Sequence, residues 1–283
     1  LVLYKCVEYS IMQILRKMIN GKFKYPGAKS KDIERIKKLR IPPMWVNVNI
    51  DPSEVSKIQA TGYDSKNRKQ YIYNSKFIEK SKEKKFKKMN SFDYSKYNSV
   101  IKKYMSKNDL SKDCVIANVI KLMEDLNIRV GNESYKKENG SFGITTLLKK
   151  HLTGTTLSFV GKKGVFHVKH ITNPRSITFI KRVKTIRGPN LFYYFPNCGI
   201  SSTDLNTFMR EKVDQNVTCK DIRTYSANKI FVSFMKKLPN AKTEKERKTN
   251  LLKGLDYTAQ KLGNTRKICK DSYISPKNIS IFS

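Results

Sequence analysis

A helical pattern is followed by a basic segment with one tyrosine in residues 243–276, TEKERKTNLLKGLDYTAQKLGNTRKICKDSYISP. The helical part of this stretch carries both a start signal and a stop signal. Thr243 and Glu246 have the spacing of a capping box, which predicts that a helix begins here. Gly263 is the residue type that most often ends a helix in the left-handed conformation. We therefore expect a helix that stops at Gly263 and a short basic connection that carries Tyr273.

Two further helices and a hairpin are predicted upstream of this stretch. Residues 221–238 form an apolar helical pattern. TTLSFVGKKGVFHVKHI, residues 155–171, predicts a β-hairpin that turns at residues 161–164. An earlier helix is indicated by apolar residues at helical spacing along one face. They are Val115, Ile116, Val119, Ile120, Met123 and Leu126.

The N-terminal part has the pattern of a small β domain. Residues 45–50 alternate as a half-buried strand, and residues 58–73 read as two strands around a polar turn, with a short helix predicted at 30–39. Seven lysines between residues 76 and 88 then predict a solvated linker or helix face, about 76–90. The fold class is thus α+β: an antiparallel β domain over 1–78 and a mainly helical domain with a small hairpin sheet over 79–283.

The charge balance points to a polyanionic partner. The 283 residues include 58 Lys and Arg against 23 Asp and Glu, a formal charge of +35. Nucleic acid is the leading partner because neutralisation of its phosphates releases counterions. The sequence contains no apolar run of about 18 residues, so a membrane partner is less favoured. The five scattered cysteines form no metal-binding or disulfide pattern, so we expect a reducing, intracellular compartment.

The acidic residues form no cluster that would hold Mg²⁺ for phosphodiester cleavage, so we expect neither a metal nor another cofactor. The metal-free route uses cationic side chains to stabilise the transition state, together with a protein nucleophile. Tyrosine suits that role, although its phenol, with a pKa near ~10, needs a positive environment to ionise.

Six segments in the same order resemble the type IB DNA topoisomerases, especially the small poxvirus, giant-virus and bacterial forms. The resemblance spans roughly Phe23 to Pro276, and the first two segments resemble that family's N-terminal β domain. The segments are IPPMWVNVNI (41–50), IQATGYDSKNRKQYIY (58–73), IRVGNESY (128–135), FVGKKGV (159–165), KDIRTYSAN (220–228) and LGNTRKICKDSYISP (262–276).

The resemblance implies a role for each residue that matches a family motif. Tyr273 matches the nucleophile that forms a 3′-phosphotyrosyl bond, and Arg129 and Arg223 match the two arginines on the scissile phosphate. Lys162 matches the general acid for the 5′-oxygen. Because Lys163 follows directly, it stays open which of the two lysines reaches that oxygen.

Further positions carry weaker implications. Asn264 matches a donor to a phosphoryl oxygen, and as an amide it cannot shuttle protons. His151, His167 and His170 match no catalytic position, and we interpret them as structural or DNA-facing. The resemblance also implies contacts with double-stranded DNA. The residues concerned are Gln70, Tyr71, Tyr73, Tyr135, Lys220 and Asn228.

The predicted function is the relaxation of supercoiled duplex DNA, without ATP or metal, by a monomer that clamps DNA. A tyrosine recombinase or integrase uses the same chemistry, but Lys220 stands where recombinases usually have histidine, and residues 41–73 read as β rather than helical. A non-enzymatic basic DNA-binding protein would explain the charge and leave the five matched catalytic positions unexplained.

Overall fold

The computed structural model describes residues 13–107 and 109–283. The chain forms two compact units that divide between Lys85 and Phe86. The predicted α+β class is confirmed, with an antiparallel sheet in the first unit and helices with small sheets in the second.

The first unit is built on an antiparallel sheet with the strand order β1-β4-β5-β6 among the described residues. One apolar side of the sheet packs with helix α1, and the strands and helix expected over 30–50 and 58–73 are confirmed. Its elements are β1 (Ile14–Leu15), β2 (Lys17–Ile19), β3 (Lys22–Lys24), α1 (Ser30–Leu39), β4 (Val46–Ile50), β5 (Ile58–Tyr63) and β6 (Lys69–Tyr73).

The lysine-rich run, predicted as a linker or helix face, is a helix that crosses the boundary between the units. In this helix, α2 (Ser75–Asn90), only Phe86 is buried, so most of its lysines are exposed, and Lys88 pairs with Asp221 at 2.6 Å. The interior backbone groups of the run are hydrogen-bonded in the helix while most of the ammonium groups stay in water.

The second unit holds the other helices and two small sheets. Its elements are α3 (Tyr94–Met105), α4 (Lys112–Asp125), α5 (Glu133–Asn139), β7 (Leu152–Thr153), β8 (Thr156–Val160), β9 (Phe166–His170), α6 (Pro174–Val183), β10 (Tyr193–Tyr194), β11 (Cys198–Gly199), α7 (Ser202–Phe208), α8 (Cys219–Met235), α9 (Glu244–Leu262), α10 (Arg266–Ser272) and α11 (Pro276–Ile281). Strands β7, β8 and β9 form an antiparallel sheet in that order.

Helix α4 is the centre of this unit, and it is buried on more than the single face that its apolar spacing predicts. Even its polar Asn118 and Glu124 are buried. Glu124 accepts hydrogen bonds from the hydroxyls of Tyr94, at 2.5 Å, and Tyr97, at 3.1 Å. These bonds satisfy the carboxylate, which otherwise would be costly to bury. A helix so enclosed gives a rigid base for the chain segment that follows it.

Helix α9 begins and ends where its sequence predicts. The Thr243 hydroxyl accepts from the Glu246 N–H in a capping box. Gly263 has a φ of +61°, its N–H bonds the Gln260 carbonyl, and the Asn264 N–H bonds the Ala259 carbonyl at 2.9 Å. This is a Schellman motif, which turns the chain sharply at the helix end. The turn directs Asn264 back toward the interior of the unit.

Candidate active site

Arg223 is the most deeply buried cation of the candidate site, with 5% of its surface exposed. It lies on the second turn of α8, and its guanidinium joins the ends of two other helices. Nη1 donates to the Asn127 carbonyl just beyond α4, and Nη2 donates to the Leu262 carbonyl at the end of α9, at 2.5 Å. The C-terminal ends of helices carry partial negative charge, so they stabilise a cation without neutralising it.

The electrostatics of Arg223 leave it charged at neutral pH. Burial, and then the nearby charge of Arg129, lower the pKa of its guanidinium to about 10. Its Nε atom is buried and has no acceptor in good hydrogen-bonding geometry. A buried donor that lacks a protein acceptor is costly, and it is explained when a ligand supplies the acceptor.

Arg129 reaches the same centre from the connection after α4. Asn127 adopts a left-handed conformation with φ of +53°, which reverses the chain at the helix end. The Ile144 N–H then holds the Arg129 carbonyl at 2.7 Å. A Cβ at Gly143 would lie 2.6 Å from that carbonyl oxygen, so only glycine permits this close approach.

Asn264 is oriented by Arg129. The Nη2 atom of Arg129 donates to Asn264 Oδ1 at 2.7 Å, which turns the amide nitrogen in the opposite direction. That Nδ2 atom is buried and, like Arg223 Nε, has no acceptor in good geometry. Two buried donors of the candidate site, Arg223 Nε and Asn264 Nδ2, therefore have no acceptor in good geometry.

Tyr273 directly follows α10 and lies beside these cations. The Cζ atom of Arg223 is 5.6 Å from the centre of its ring. Burial raises the pKa of the phenol, but the charge and hydrogen bonding of Arg223, with Arg129 and Asn264 adding to them, lower it below its ordinary value. The arrangement favours a phenolate, the nucleophilic form.

Asn228, which is predicted to contact DNA, has its side chain held within the protein. It is 5% exposed, on α8, and its Nδ2 donates to the Tyr273 carbonyl at 2.7 Å. Its Oδ1 accepts from the Ser275 N–H and from Asn278, both at 2.8 Å. Because the amide is buried and hydrogen-bonded within the protein, Asn228 holds the segment that carries Tyr273, and its contact with DNA stays a prediction.

Lys162 and Lys163 lie in the turn between β8 and β9, and both are exposed. The turn is a short 3-10 helix over Lys162–Gly164, in which Lys163 has a φ of +64°. Among the described residues, a small pocket is lined by Lys162 together with Arg129 and Arg223, and Lys163 is not part of its wall. This difference favours Lys162 as the lysine that faces the candidate site.

Sequence reasoning missed His167, which lines the same pocket. Burial, then Lys169, Arg129 and Arg223, lower the pKa of its imidazole to about 4. The alternation of β9 was the available signal, because it puts His167 and Lys169 on one side of the strand and His170 on the other. Which side faces the cations could be seen only in the folded chain.

The predicted DNA contacts are mostly exposed. Tyr135 is 57% exposed on α5, and Lys220 is exposed on the first turn of α8. In the first unit, Tyr71 and Tyr73 are exposed on β6 with ring centres 6.1 Å apart, whereas Gln70 donates to Asp64 Oδ2 at 3.0 Å. Flat exposed rings beside lysines suit contact with nucleic acid.

Neither a metal site nor a membrane-spanning helix is found among the described residues. Across residues 13–107 and 109–283, no group of three or more His, Cys, Asp or Glu side chains is placed to hold a metal ion. In the same part of the chain, no helix has the length and apolar character needed to cross a bilayer. Free thiols are found at Cys114, Cys198, Cys219 and Cys269, and Cys6 lies outside the described residues.

Comparison with known families shows the family of this chain. The model of the eukaryotic DNA topoisomerase I catalytic core matches residues 74–280, and the model of the bacterial DNA topoisomerase IB N-terminal domain matches residues 25–64. The first match alone covers well over half of the chain. The chain therefore belongs to the type IB DNA topoisomerase family, a family of isomerases.

Individual relatives are viral. The chain is 35% identical to the DNA topoisomerase 1B of Acanthamoeba polyphaga mimivirus, over 89% of this chain and 80% of that protein. It is 27% identical to the DNA topoisomerase 1B of vaccinia virus (strain Western Reserve), over 76% of this chain and 69% of that protein. The DNA topoisomerase 1 of rabbit fibroma virus is 24% identical, with 86% and 79% covered.

Proposed function

We propose that this protein relaxes supercoiled duplex DNA through a transient 3′-phosphotyrosyl bond, without ATP or metal. One observation carries the proposal: the pKa of the Tyr273 phenol is lowered by two arginines in a site where the Arg223 Nε and Asn264 Nδ2 donors have no acceptor in good geometry. A phosphate group, with its oxygen acceptors and negative charge, matches that set of groups.

In the cleavage step the Tyr273 oxygen attacks phosphorus, and the bond between phosphorus and the 5′-oxygen breaks. The leaving 5′-oxygen takes a proton from Lys162, which becomes neutral. One phosphodiester bond is exchanged for another, so the reverse step reseals the strand without an external energy source. Between the two steps, rotation of the free 5′ end removes supercoils.

Transition-state charge falls on the non-bridging phosphate oxygens. Arg129, Arg223 and Asn264 are the proposed donors to those oxygens. Arg223 is suited to this because backbone carbonyls hold it, so its full positive charge remains available. Asn264 adds a neutral donor whose direction is set by Arg129.

We further propose that the protein acts as a monomer with duplex DNA as its partner, held by both units. The exposed pair Tyr71 and Tyr73 supports a contact from the first unit, and Tyr135 and Lys220 support contacts from the second. The formal charge of +35 supports phosphate binding over a wide surface.

Plasmid relaxation in EDTA without ATP tests the proposed function. We expect the wild-type protein to remove supercoils and to become covalently attached to the 3′ end of the cut strand when denatured during turnover. Tyr273→Phe should lose both activities by at least about 10⁴-fold while still binding DNA. Tyr257→Phe is the matched control, since among the described residues that ring stacks on Phe234 and lies near Lys261.

Three results would contradict the proposal. The first is relaxation that disappears in EDTA and returns with Mg²⁺, which would indicate metal-dependent chemistry. The second is a wild-type protein that binds plasmid but leaves its supercoiling unchanged, which would favour a DNA-binding protein without this activity. Joining of paired sites in place of relaxation would favour a recombinase.

A further inference from the structure

His167 lies between the two backbone segments that carry Lys162 and Asn264. A Cβ on Gly161, the residue before Lys162, would lie 2.6 Å from His167 Cδ2. A Cβ on Gly263, the residue before Asn264, would lie closer still to His167 Cε1. Opposite edges of one imidazole ring therefore touch bare backbone on both segments, which leaves no room for a side chain on either.

The ring is held by its own strand and neighbours. It stacks on Phe159 of β8, with ring centres 5.2 Å apart and planes 30° from parallel. Two residues further along β9, the Lys169 ammonium donates to the Lys261 carbonyl at 2.8 Å. The inward side of β9 thus contacts the C-terminal end of α9 at two places, once by packing and once by a hydrogen bond.

The charge around the ring explains why a neutral group is needed here. Arg129, Arg223 and Lys169 all lie near His167, and together with burial they keep its imidazole unprotonated at neutral pH. The Lys169 ammonium is itself affected, since burial and then Arg223 lower its pKa to about 8. A further full charge between the two segments would repel the cations that the proposed reaction uses.

We propose that His167 is a positioning residue that sets the distance between the proposed general acid Lys162 and the proposed phosphate donor Asn264. It acts as a flat, neutral spacer between Gly161 and Gly263, and it touches neither DNA nor the reacting atoms. This inference rests on the proposed function, because it concerns the geometry of that same site. An error of about 1 Å in such a distance can cost about 10²-fold in rate.

The contact is tested directly by enlarging the side chain at Gly161 and reducing the side chain at His167. Gly161 has a φ of −96°, which alanine adopts without strain, and its nearest two contacts are both with the His167 ring. Gly161→Ala should therefore slow single-turnover DNA cleavage by about tenfold or more. In the double variant with His167→Ala, the added methyl group has space, and cleavage should return to the rate of His167→Ala alone.

The coupling between His167→Ala and Lys162→Ala distinguishes a positioning role for His167 from a role in the stability of the fold alone. His167→Ala should slow cleavage by about tenfold in the wild-type background but by less than about threefold when Lys162→Ala is already present. A substrate whose 5′-bridging oxygen is replaced by sulfur releases a thiolate that needs no proton, so on it His167→Ala should cost less. His170→Ala is the matched control: it lies on the opposite side of β9, bonded to Thr156, and should change cleavage by less than about threefold.

The outcomes separate this inference from the function on which it rests. Absence of cleavage by the wild-type protein overturns the proposed function, and the inference with it. A wild-type protein that cleaves, together with His167→Ala that cleaves at the wild-type rate, overturns the inference alone. The inference alone is also overturned if the effect of His167→Ala multiplies in full with that of Lys162→Ala, or if it multiplies in full with that of Gly161→Ala in the double variant.

Discussion

The buried Arg223 centre and the exposed turn at Lys162 hold their cations in opposite ways. Arg223 is fixed by two backbone carbonyls from distant parts of the chain. Lys162 lies on a hairpin turn and makes no hydrogen bond or ion pair within the described residues. The first cation is placed by folding, whereas the position of the second depends on the turn that carries it.

The difference between Arg223 and Lys162 shows how folding can fix a positive charge in a site before a ligand binds. Within the part of the chain that the structure describes, no acidic side chain forms an ion pair with Arg223. A carboxylate would hold the guanidinium equally well but would neutralise it. Carbonyls at helix ends hold it and leave a net positive charge for phosphate and for the Tyr273 phenolate.

Replacement of Arg223 should give the largest effect. Arg223→Ala removes a proposed phosphate donor and leaves the Asn127 and Leu262 carbonyls unpaired, so cleavage should fall by about 10³-fold or more. The free energy of unfolding should fall as well, by about 2 kcal/mol. Arg223→Lys keeps the charge but cannot bridge both carbonyls, and we expect only slight recovery. Single-turnover cleavage and thermal unfolding measure the two effects, and a fully active lysine variant would contradict the bridging role.

Replacement of Lys162 should separate activity from stability. Lys162→Ala should slow cleavage by about 10²-fold or more, because the leaving oxygen loses its proton donor. Thermal unfolding should stay unchanged, since the side chain is exposed and unpaired among the described residues. Lys163→Ala is the matched control and should change cleavage by less than about threefold. If Lys163→Ala slowed cleavage by about 10²-fold and Lys162→Ala changed it by less than about threefold, Lys163 would be the general acid.

Removal of the amide at Asn264 should give a loss of about 10²-fold in cleavage. Asn264→Ala deletes the donor and also frees Arg129, whose Nη2 now bonds the amide oxygen. Asn264→Asp should be slower still, because a carboxylate beside Arg129 neutralises it and repels phosphate. Cleavage by the aspartate variant at the rate of wild type would show that Asn264 does not face the phosphate.

The hydrogen bond from Asn228 to the Tyr273 carbonyl predicts a smaller change, and one confined to catalysis. Asn228→Ala removes the bond to the Tyr273 carbonyl, and we expect cleavage to slow by about tenfold. The DNA dissociation constant should not change, since the amide is buried. A variant that binds DNA more weakly and cleaves bound DNA at the normal rate would instead support the predicted contact with DNA.

The smallest effect expected is a shift in the pH at which the phenol of Tyr273 ionises. The cations lower the pKa of the phenol, so its phenolate absorbance should appear at a lower pH than that of an ordinary tyrosine. Arg129→Ala removes one of those charges and should move the transition to higher pH. The difference spectrum against Tyr273→Phe isolates this group, and a transition unaffected by Arg129→Ala would contradict the electrostatic account.

Local sequence was enough to predict the helices and strands whose start and end depend on residues within the element itself. The α9 helix begins at the Thr243 cap and stops at Gly263, because a capping hydroxyl and a left-handed glycine act over three or four residues. The hairpin around Lys162 was predictable from strand alternation for the same reason. The five candidate catalytic residues were identified by resemblance to family motifs, which is also a property of the sequence.

Tertiary structure decided what those residues contact. Asn228 bonds the carbonyl of Tyr273 45 residues away, and Arg223 bonds Asn127 96 residues away, so neither partner can be read from local pattern. His167 looked the same as His170 until folding placed one beside three cations and the other toward solvent. Sequence by itself determined the elements and the candidate residues because those depend on short-range chemistry. Burial and charge around each group depend on which distant segments meet, and only the folded chain decides that.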